Sequence, residues 1–548
     1  MDVTRFAATI LAALGLAGSA PAHHVYHVAK RPAAHRTHQA QPLAAIFVAG
    51  HGWGHGIGLA QYGAYGYALH GWTYDRIVGH YYSGTTLGQS ELNRVRVLLA
   101  AGTKRAVISS QSQFVVRDGK GKKHKLRAGI QALGPGLKLK LSAGKKLKAL
   151  PGPLMFSSAS GPLSFGNRAY RGALRVKRVG AGLQVVNVVG LEQYLWGVVP
   201  SEMPQRWPAE ALAAQAVAAR TYALAHLHKG DFDLYSDTRS QVYGGIAAEA
   251  PSATDAVTET AHQVVLYDDE LADTYFSSSS GGKTANVQDV WPGSPPEPYL
   301  VSVSDPYDTL SPYHDWGPLR FSAKTIAKRL HVPGGRVSDF RANVTSSGRV
   351  RSITFVGASG ERTSTGADVR TALGLRSTWF HLGLLSLSNP NGNVVYGSGG
   401  TLSGVGRGVT GVTLESRTYG GTWKRGARLT VRNGVISVTV RPKVTTDYRL
   451  ESGGFRTSTV RVSVEPLVQL AGGTDGVSVS GTVRPLLPGA NVQVQRLASG
   501  AWTTVTQTTV GSDGSYAATL ALSPGSYRAR VTAGHGFAIG LSDTLVVQ

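Results

Sequence analysis

Cysteine is absent from the 548-residue sequence. Its absence excludes disulfide staples, thiolate metal sites and a cysteine nucleophile together. Long apolar runs are also scarce. The strongest, from Phe6 to Leu16 in "MDVTRFAATILAALGLAGSAPA", is shorter than the ~20 residues a membrane span needs. With Arg5 before it and Ala20-Pro21-Ala22 after it, the stretch has the form of a cleaved export signal over residues 1–22. The expected address is therefore exported, extracellular or wall-associated. Acidic residues are few: 32 Asp and Glu stand against 56 Lys and Arg, for a formal net charge of +24.

The positive excess is unevenly spread. Between Lys104 and Lys148 thirteen basic residues accompany one acid, Asp118, in stretches such as "KGKKHKLR" and "LKLKLSAGKKLK". In an exported chain this field fits an anionic wall polymer or a membrane surface. It does not fit nucleic acid as well, because no base-stacking aromatics are interleaved with the lysines. The alternation in "LKLKL" equally describes strands with solvated outer faces.

Residues 23–45, rich in histidine and punctuated by proline, read as a linker. From 46 to 387, stretches such as "NRVRVLLAA", "GALRVKRVG" and "GLQVVNVVG" predict strands. One strong helix is predicted in "RWPAEALAAQAVAARTYALAHLHKG", where Pro208 and Glu210 suit the start and Gly230 the end. The expected fold is α+β around this single central Ala-rich helix. Residues 388–404 read as a second linker, followed by two all-β modules, 405–466 and 467–548. Arg417, Trp423 and Tyr448 recur 79 residues later as Arg496, Trp502 and Tyr527, which predicts two copies of one immunoglobulin-like sandwich. Neither module clusters charged or histidine residues for chemistry, so both read as adhesive or spacing domains.

The densest candidate for chemistry is "VVGLEQYLWGVVPSEMPQRWPAEALAAQAVAARTYAL". Glu202 sits among Val198, Val199, Met203 and Trp207, six residues before the helix start at Pro208. Apolar neighbours raise a carboxyl pKa, whereas a helix N-terminus lowers it. If desolvation dominates, Glu202 holds a proton near neutrality and serves as a general acid; otherwise it is a surface acid flanking a helix.

This stretch resembles the SpoIID/LytB family, with its Gly-Val-Val, Glu-Met-Pro and Ala-Gln-Ala-x-Ala-Ala-Arg-Thr-Tyr signature. "TRSQVYGG", "TYFSSSSGGKTANVQDVW", "PYLVSVSDPYD" and "LGLRSTWF" continue the resemblance in order. "GHGIGLAQYGAYGYALHGW" is similar to the family's Gly-His-Gly segment, but it precedes everything else here, as a circular permutation would place it. The resemblance implies a peptidoglycan lytic transglycosylase acting on peptide-stripped glycan, or a factor that stimulates a separate amidase. It places the catalytic glutamate on Glu202, and Arg220, Gln215 and Tyr222 in the substrate site.

The resemblance also gives the opening segment a role. Glycines permit close backbone approach, so His55 and Gln61 would present donors to a glycan. Tyr62, Trp72, Tyr81 and Tyr82 would stack on sugar faces, and a turn with Ser278 and Ser279 would hydrogen-bond the glycan. The alternative is close packing of loop on sheet, with His55 hydrogen-bonded internally. Two departures stand out: Ala213 replaces a lysine frequent in the family, and Asp237 and Thr238 stand where some members bind zinc through cysteine and histidine. No metal or cofactor is expected. "HGWGH" lacks the helix and glutamate of a metalloprotease, and "SSSSGGKT" lacks the first glycine of a phosphate-binding loop.

Overall fold

Alanine fills nine of the seventeen positions of the helix that forms over Ala209–Ala225. Thirteen of its residues are buried, so the helix threads the core instead of lying over it. The structure, a computed structural model, describes residues 25–30, 44–141, 146–474, 476–534 and 536–548; the expected export signal lies outside them. The described residues form two compact units, Phe47–Leu382 and Gly383–Gln548, the second including the chain up to Ile46.

Three helices of the Phe47–Leu382 unit position the candidate site: α1 (Gln61–Leu69), α2 (Leu191–Glu202) and the central α3 (Ala209–Ala225). Both α1 and α2 pack on α3. The single helix expected from the sequence is thus corrected to eight α-helices among the described residues. Helix α2 escapes a propensity reading because Gly197, Val198, Val199 and Pro200 all disfavour a helix. Its Leu191, Tyr194, Leu195 and Val198 nevertheless fall at helical spacing on the buried side, and burial prevails.

The strand Gly182–Gly190 lies inside a seven-stranded sheet, paired antiparallel with Arg94–Thr103 and Ala173–Val179. It runs directly into α2, which carries Glu202 at its last position. The basic segment is built of short strands, among them Phe114–Arg117 paired with Lys123–Leu126. Leu126 and Leu139 enter the core while Lys123, Lys125, Lys138 and Lys140 are exposed, so the lysines occupy the solvated strand faces.

In the other unit the sequence repeat is a structural one. Strands Gly400–Arg407, Thr413–Thr418, Lys424–Arg428, Val435–Val440 and Thr446–Ser452 recur as Ser478–Arg484, Asn491–Ala498, Ala501–Thr509, Ser515–Thr519 and Gly525–Thr532. The pairings recur too: first with fourth, second with third, and second with fifth. Arg449 lies 3.8 Å over the Trp423 ring and Arg528 4.3 Å over the Trp502 ring, the same contact in each copy.

Two stretches expected as linkers contain strands. Val394–Val395 falls within 388–404, and Gly400–Arg407 begins there and runs past its end. Tyr26–Ala29, within 23–45, pairs antiparallel with Thr544–Val547, and the Tyr26 hydroxyl donates to the Gly473 carbonyl at 3.0 Å. A strand edge presents unpaired N–H and C=O groups that an extended segment can complete, whatever its composition.

Candidate functional site

Glu202 occupies the C-terminal end of α2 and is half-buried. Its Oε1 accepts the Val242 backbone N–H at 3.2 Å, and the Gln61 side chain lies beside the carboxyl. Burial raises its pKa above the ordinary 4.5, with the Val242 amide and the Gln61 side chain opposing. The carboxylate also sits at the negative end of the α2 dipole, which further disfavours ionisation. The helix-end effect expected from the sequence therefore reverses: the nearest terminus is the C-terminus of Glu202's own helix, not the N-terminus of α3.

The loop that supplies Val242 is fixed from behind. Gln241, next to it, accepts from the Tyr194 hydroxyl at 3.0 Å and donates to the Ala219 carbonyl of α3 at 3.1 Å. Farther along the same loop, Asp237 and Arg239 pair with each other at 2.7 Å. The Val242 amide and the Tyr194–Gln241 brace went unassigned in the sequence, because a backbone donor has no residue signature.

Gln61 reaches Glu202 because the glycine-rich segment delivers it there. Gly52, Gly54, Gly56 and Gly58 all take positive φ, at 71°, 114°, 76° and 65°. Only glycine adopts such a run without strain. Trp53 exchanges two backbone hydrogen bonds with Ser279, and the Tyr62 N–H donates to the Ser278 carbonyl at 3.0 Å. The Gly54 N–H donates to Arg376 and the His51 N–H to Trp379. The segment thus lies against the Leu-Gly-Leu-Arg-Ser-Thr stretch, more than 300 residues on in the chain.

Beside Gln61, Tyr62 and Tyr65 of α1 pack on Trp207, which sits in the turn between α2 and α3. Tyr65 stacks on the indole at 4.7 Å and Tyr62 meets it edge-on at 4.9 Å. Tyr62 and Tyr65 are half-buried, and with Trp207 they form an aromatic cluster between α1 and the turn that follows Glu202.

Several expected substrate contacts turn inward instead. Arg220 has 0% exposure, and its guanidinium is taken up by Glu192, Ala216, Val257 and Gln263. It ties α3 to α2 and to its neighbours and presents nothing to a ligand. Gln215 is also fully buried; it receives a hydrogen bond from Gln61 Nε2 at 3.4 Å, behind the carboxyl. Ser279 is 2% exposed, and its hydroxyl donates to Asp308 at 2.8 Å.

His55 accepts the Ile57 N–H at Nδ1, and burial together with the Arg349 charge pushes its pKa down to about 4. That neutral, internally bonded ring matches the alternative of close loop packing. Tyr81 and Tyr82 are core residues at 0% exposure, and Trp72 is covered by Arg76 at 3.6 Å, so none offers a sugar platform. Tyr222 is half-buried and stacked on His226 at 4.1 Å, and Ser278 is half-buried with its carbonyl engaged. Ala213 lies in the core at 2% exposure.

Comparison with known proteins bears on this site. Residues 179–267 match the family described as SpoIID, Stage II sporulation protein. The chain is 39% identical over 138 residues to an uncharacterized protein of Brachyspira hyodysenteriae, covering 24% of this chain and 37% of that one. It is 40% identical over 114 residues to the amidase enhancer of Bacillus subtilis, covering 21% and 15%. With the stage II sporulation protein D of Bacillus subtilis it shares 32% identity over 219 residues, covering 36% and 61%. The matches thus span less than two thirds of each relative's length. Glu202, Gln215 and Val242 all lie within the residues that match the SpoIID family model.

Proposed function

We propose that the chain is an exported cell-wall protein that cleaves peptidoglycan glycan between N-acetylmuramic acid and N-acetylglucosamine without water, leaving a 1,6-anhydro end. The observation that carries this reading is a half-buried carboxyl, Glu202, whose pKa is raised by burial and which lies in the stretch that matches the SpoIID family model.

One carboxyl suffices for this chemistry. Protonated Glu202 gives its proton to the glycosidic oxygen as the bond to the muramic C1 breaks. The resulting carboxylate takes the proton of the sugar's own 6-hydroxyl, whose oxygen closes on C1. The acid is thereby restored, and no second carboxylate is needed to activate water, unlike a two-acid hydrolase. Tyr62 and Tyr65 offer ring faces to the sugars. The two β modules, read as immunoglobulin-like spacers, and the lysine-bearing strands would hold the chain on anionic wall polymer or membrane surface. The reaction as written uses no metal or cofactor.

A second reading is favoured by the 40% identity to a protein named amidase enhancer. On it, the chain binds glycan without cutting and stimulates an N-acetylmuramoyl-L-alanine amidase. Adding wild-type chain or Glu202→Gln to such an amidase on whole peptidoglycan separates the two. Equal stimulation by both, with no anhydro product from either, supports the enhancer.

A further inference from the structure

Trp53 stands inside the glycine run, between Gly52 at φ 71° and Gly54 at φ 114°, and is 40% exposed. Two distant stretches of the chain meet it there. Tyr313 packs edge-on against the indole with centroids 4.4 Å apart, and the Arg376 guanidinium lies 4.2 Å over the Tyr313 ring and 5.1 Å from the Trp53 centroid. Tyr313 and Arg376 are half-buried. All three lie outside residues 179–267, which match the family model.

The contacts of Arg376 are with ring faces, which engage the flat side of a guanidinium and leave its N–H edge open. Among the described residues no carboxylate or carbonyl accepts from that edge. Arg171 and Arg220, by contrast, direct theirs at Glu249 and Glu192. Trp53 likewise differs from Trp72, whose ring Arg76 covers at 3.6 Å.

The frame behind these side chains is fixed. Trp53 exchanges two backbone hydrogen bonds with Ser279, at 2.9 and 3.1 Å, and the Gly54 N–H donates to the Arg376 carbonyl at 3.1 Å. Asp308, at 0% exposure, accepts the Ser279 hydroxyl and the Ser280 and Gly281 amides. It also pairs at 3.0 Å with Nδ1 of His314, the residue after Tyr313. Ring and cation therefore stand in place before a ligand arrives, which lowers the entropic cost of binding.

We propose that Trp53, Tyr313 and Arg376 form a binding site for an acidic pyranose, with the sugar face on the Trp53 ring and the carboxylate on the N–H edge of Arg376. Each part of such a ligand has its partner here. An indole offers a broad apolar face to a sugar ring, and a guanidinium fork matches a carboxylate with two parallel hydrogen bonds. A neutral sugar would leave the cation unanswered, and a small anion would leave the indole bare. Muramic acid without its stem peptide carries such a carboxylate on its lactyl group, so this choice of acidic sugar rests on the proposed action on peptide-stripped glycan.

The probes are N-acetylmuramic acid and N-acetylglucosamine, which differ by the lactyl group and contain no glycosidic bond to cut. Each is titrated into the ¹⁵N-labelled full chain while the Trp53 indole N–H signal, identified by its loss in Trp53→Phe, is followed. N-acetylmuramic acid is expected to move that signal. N-acetylglucosamine on the wild type, and N-acetylmuramic acid on Arg376→Gln, are each expected to bind at least about tenfold more weakly. Equal affinity for the two sugars, or a Trp53 signal that neither moves, overturns the site.

If Arg376→Gln fails to fold, the comparison of the two sugars on the unmutated chain decides. A response to glycerol phosphate but not to N-acetylmuramic acid also overturns the proposal, in favour of a phosphate-bearing polymer. Because neither sugar can be cleaved, a failed titration counts against this site alone, whereas absence of anhydro products from glycan counts against the proposed function alone.

Discussion

Arg220 and Glu192 form a fork across two helices, with Nε 3.0 Å from Oε1 and Nη2 2.6 Å from Oε2. The arginine is fully buried and also donates to the Val257 and Gln263 carbonyls at 3.1 Å each. Removing one partner of such a pair leaves the other group and two carbonyls without their donors. Arg220→Met is therefore expected to cost about 3–5 kcal/mol in urea unfolding. A variant of normal stability that binds glycan weakly would instead restore a substrate-holding role for Arg220.

Asp305 is buried against Asp308, and its pKa rises to about 7 from an ordinary 3.8, through burial first and the Asp308 charge second. Between pH 4 and 7 the folded chain then binds more protons at this residue than the unfolded chain. Its contribution to stability falls as pH rises through that window and levels off above pH 7. Asp305→Asn removes the titration, so its melting temperature should gain on the wild type from pH 4 to pH 8. Equal pH slopes for the two proteins would refute this.

The contacts of Arg449 with Trp423 and of Arg528 with Trp502 make a prediction about the duplicated modules. Trp423→Leu and Trp502→Leu each keep an apolar side chain but lose the ring face. Each should lower stability by about 0.5–1 kcal/mol, and by similar amounts. A large loss in one copy alone would mean that only that contact is shared in form and not in function.

The proposed reaction starts from protonated Glu202, so kcat/KM on glycan should fall as pH rises through its pKa. That midpoint should lie above the ordinary carboxylate value of 4.5, since burial disfavours the ionised form. A pH profile that rises through this range would assign Glu202 the role of a base in the free enzyme.

What the sequence reveals is uneven for physical reasons. The central helix was legible because alanine and Pro208 agree on one answer locally, although it ends at Ala225, before the expected stop at Gly230. Helix α2 was not, because its glycine, valines and proline oppose a helix that tertiary burial imposes. The duplication was legible through bulky residues at a fixed offset, and the structure extends it to whole strands. Strand Tyr26–Ala29 was hidden, since its partner lies more than 500 residues away.

At the site, Glu202, Gln61 and Gln215 were all singled out. The Gln61–Gln215 hydrogen bond was not legible, because it joins residues 154 positions apart. Arg220 and Ser279 turn inward and His55 takes the internally bonded alternative, and the sequence does not decide this for one shared reason: a polar residue in a motif reads the same whether it faces a ligand or braces the core.

The central claim is tested most directly by incubating the purified chain, and its Glu202→Gln variant, with peptide-stripped glycan strands and analysing the products by mass spectrometry. The account predicts 1,6-anhydro-muramyl ends from the wild type and a loss of at least ~10²-fold in the variant, with glycan binding retained. Glycan bound but uncut by both proteins, or cut equally by both, would contradict it.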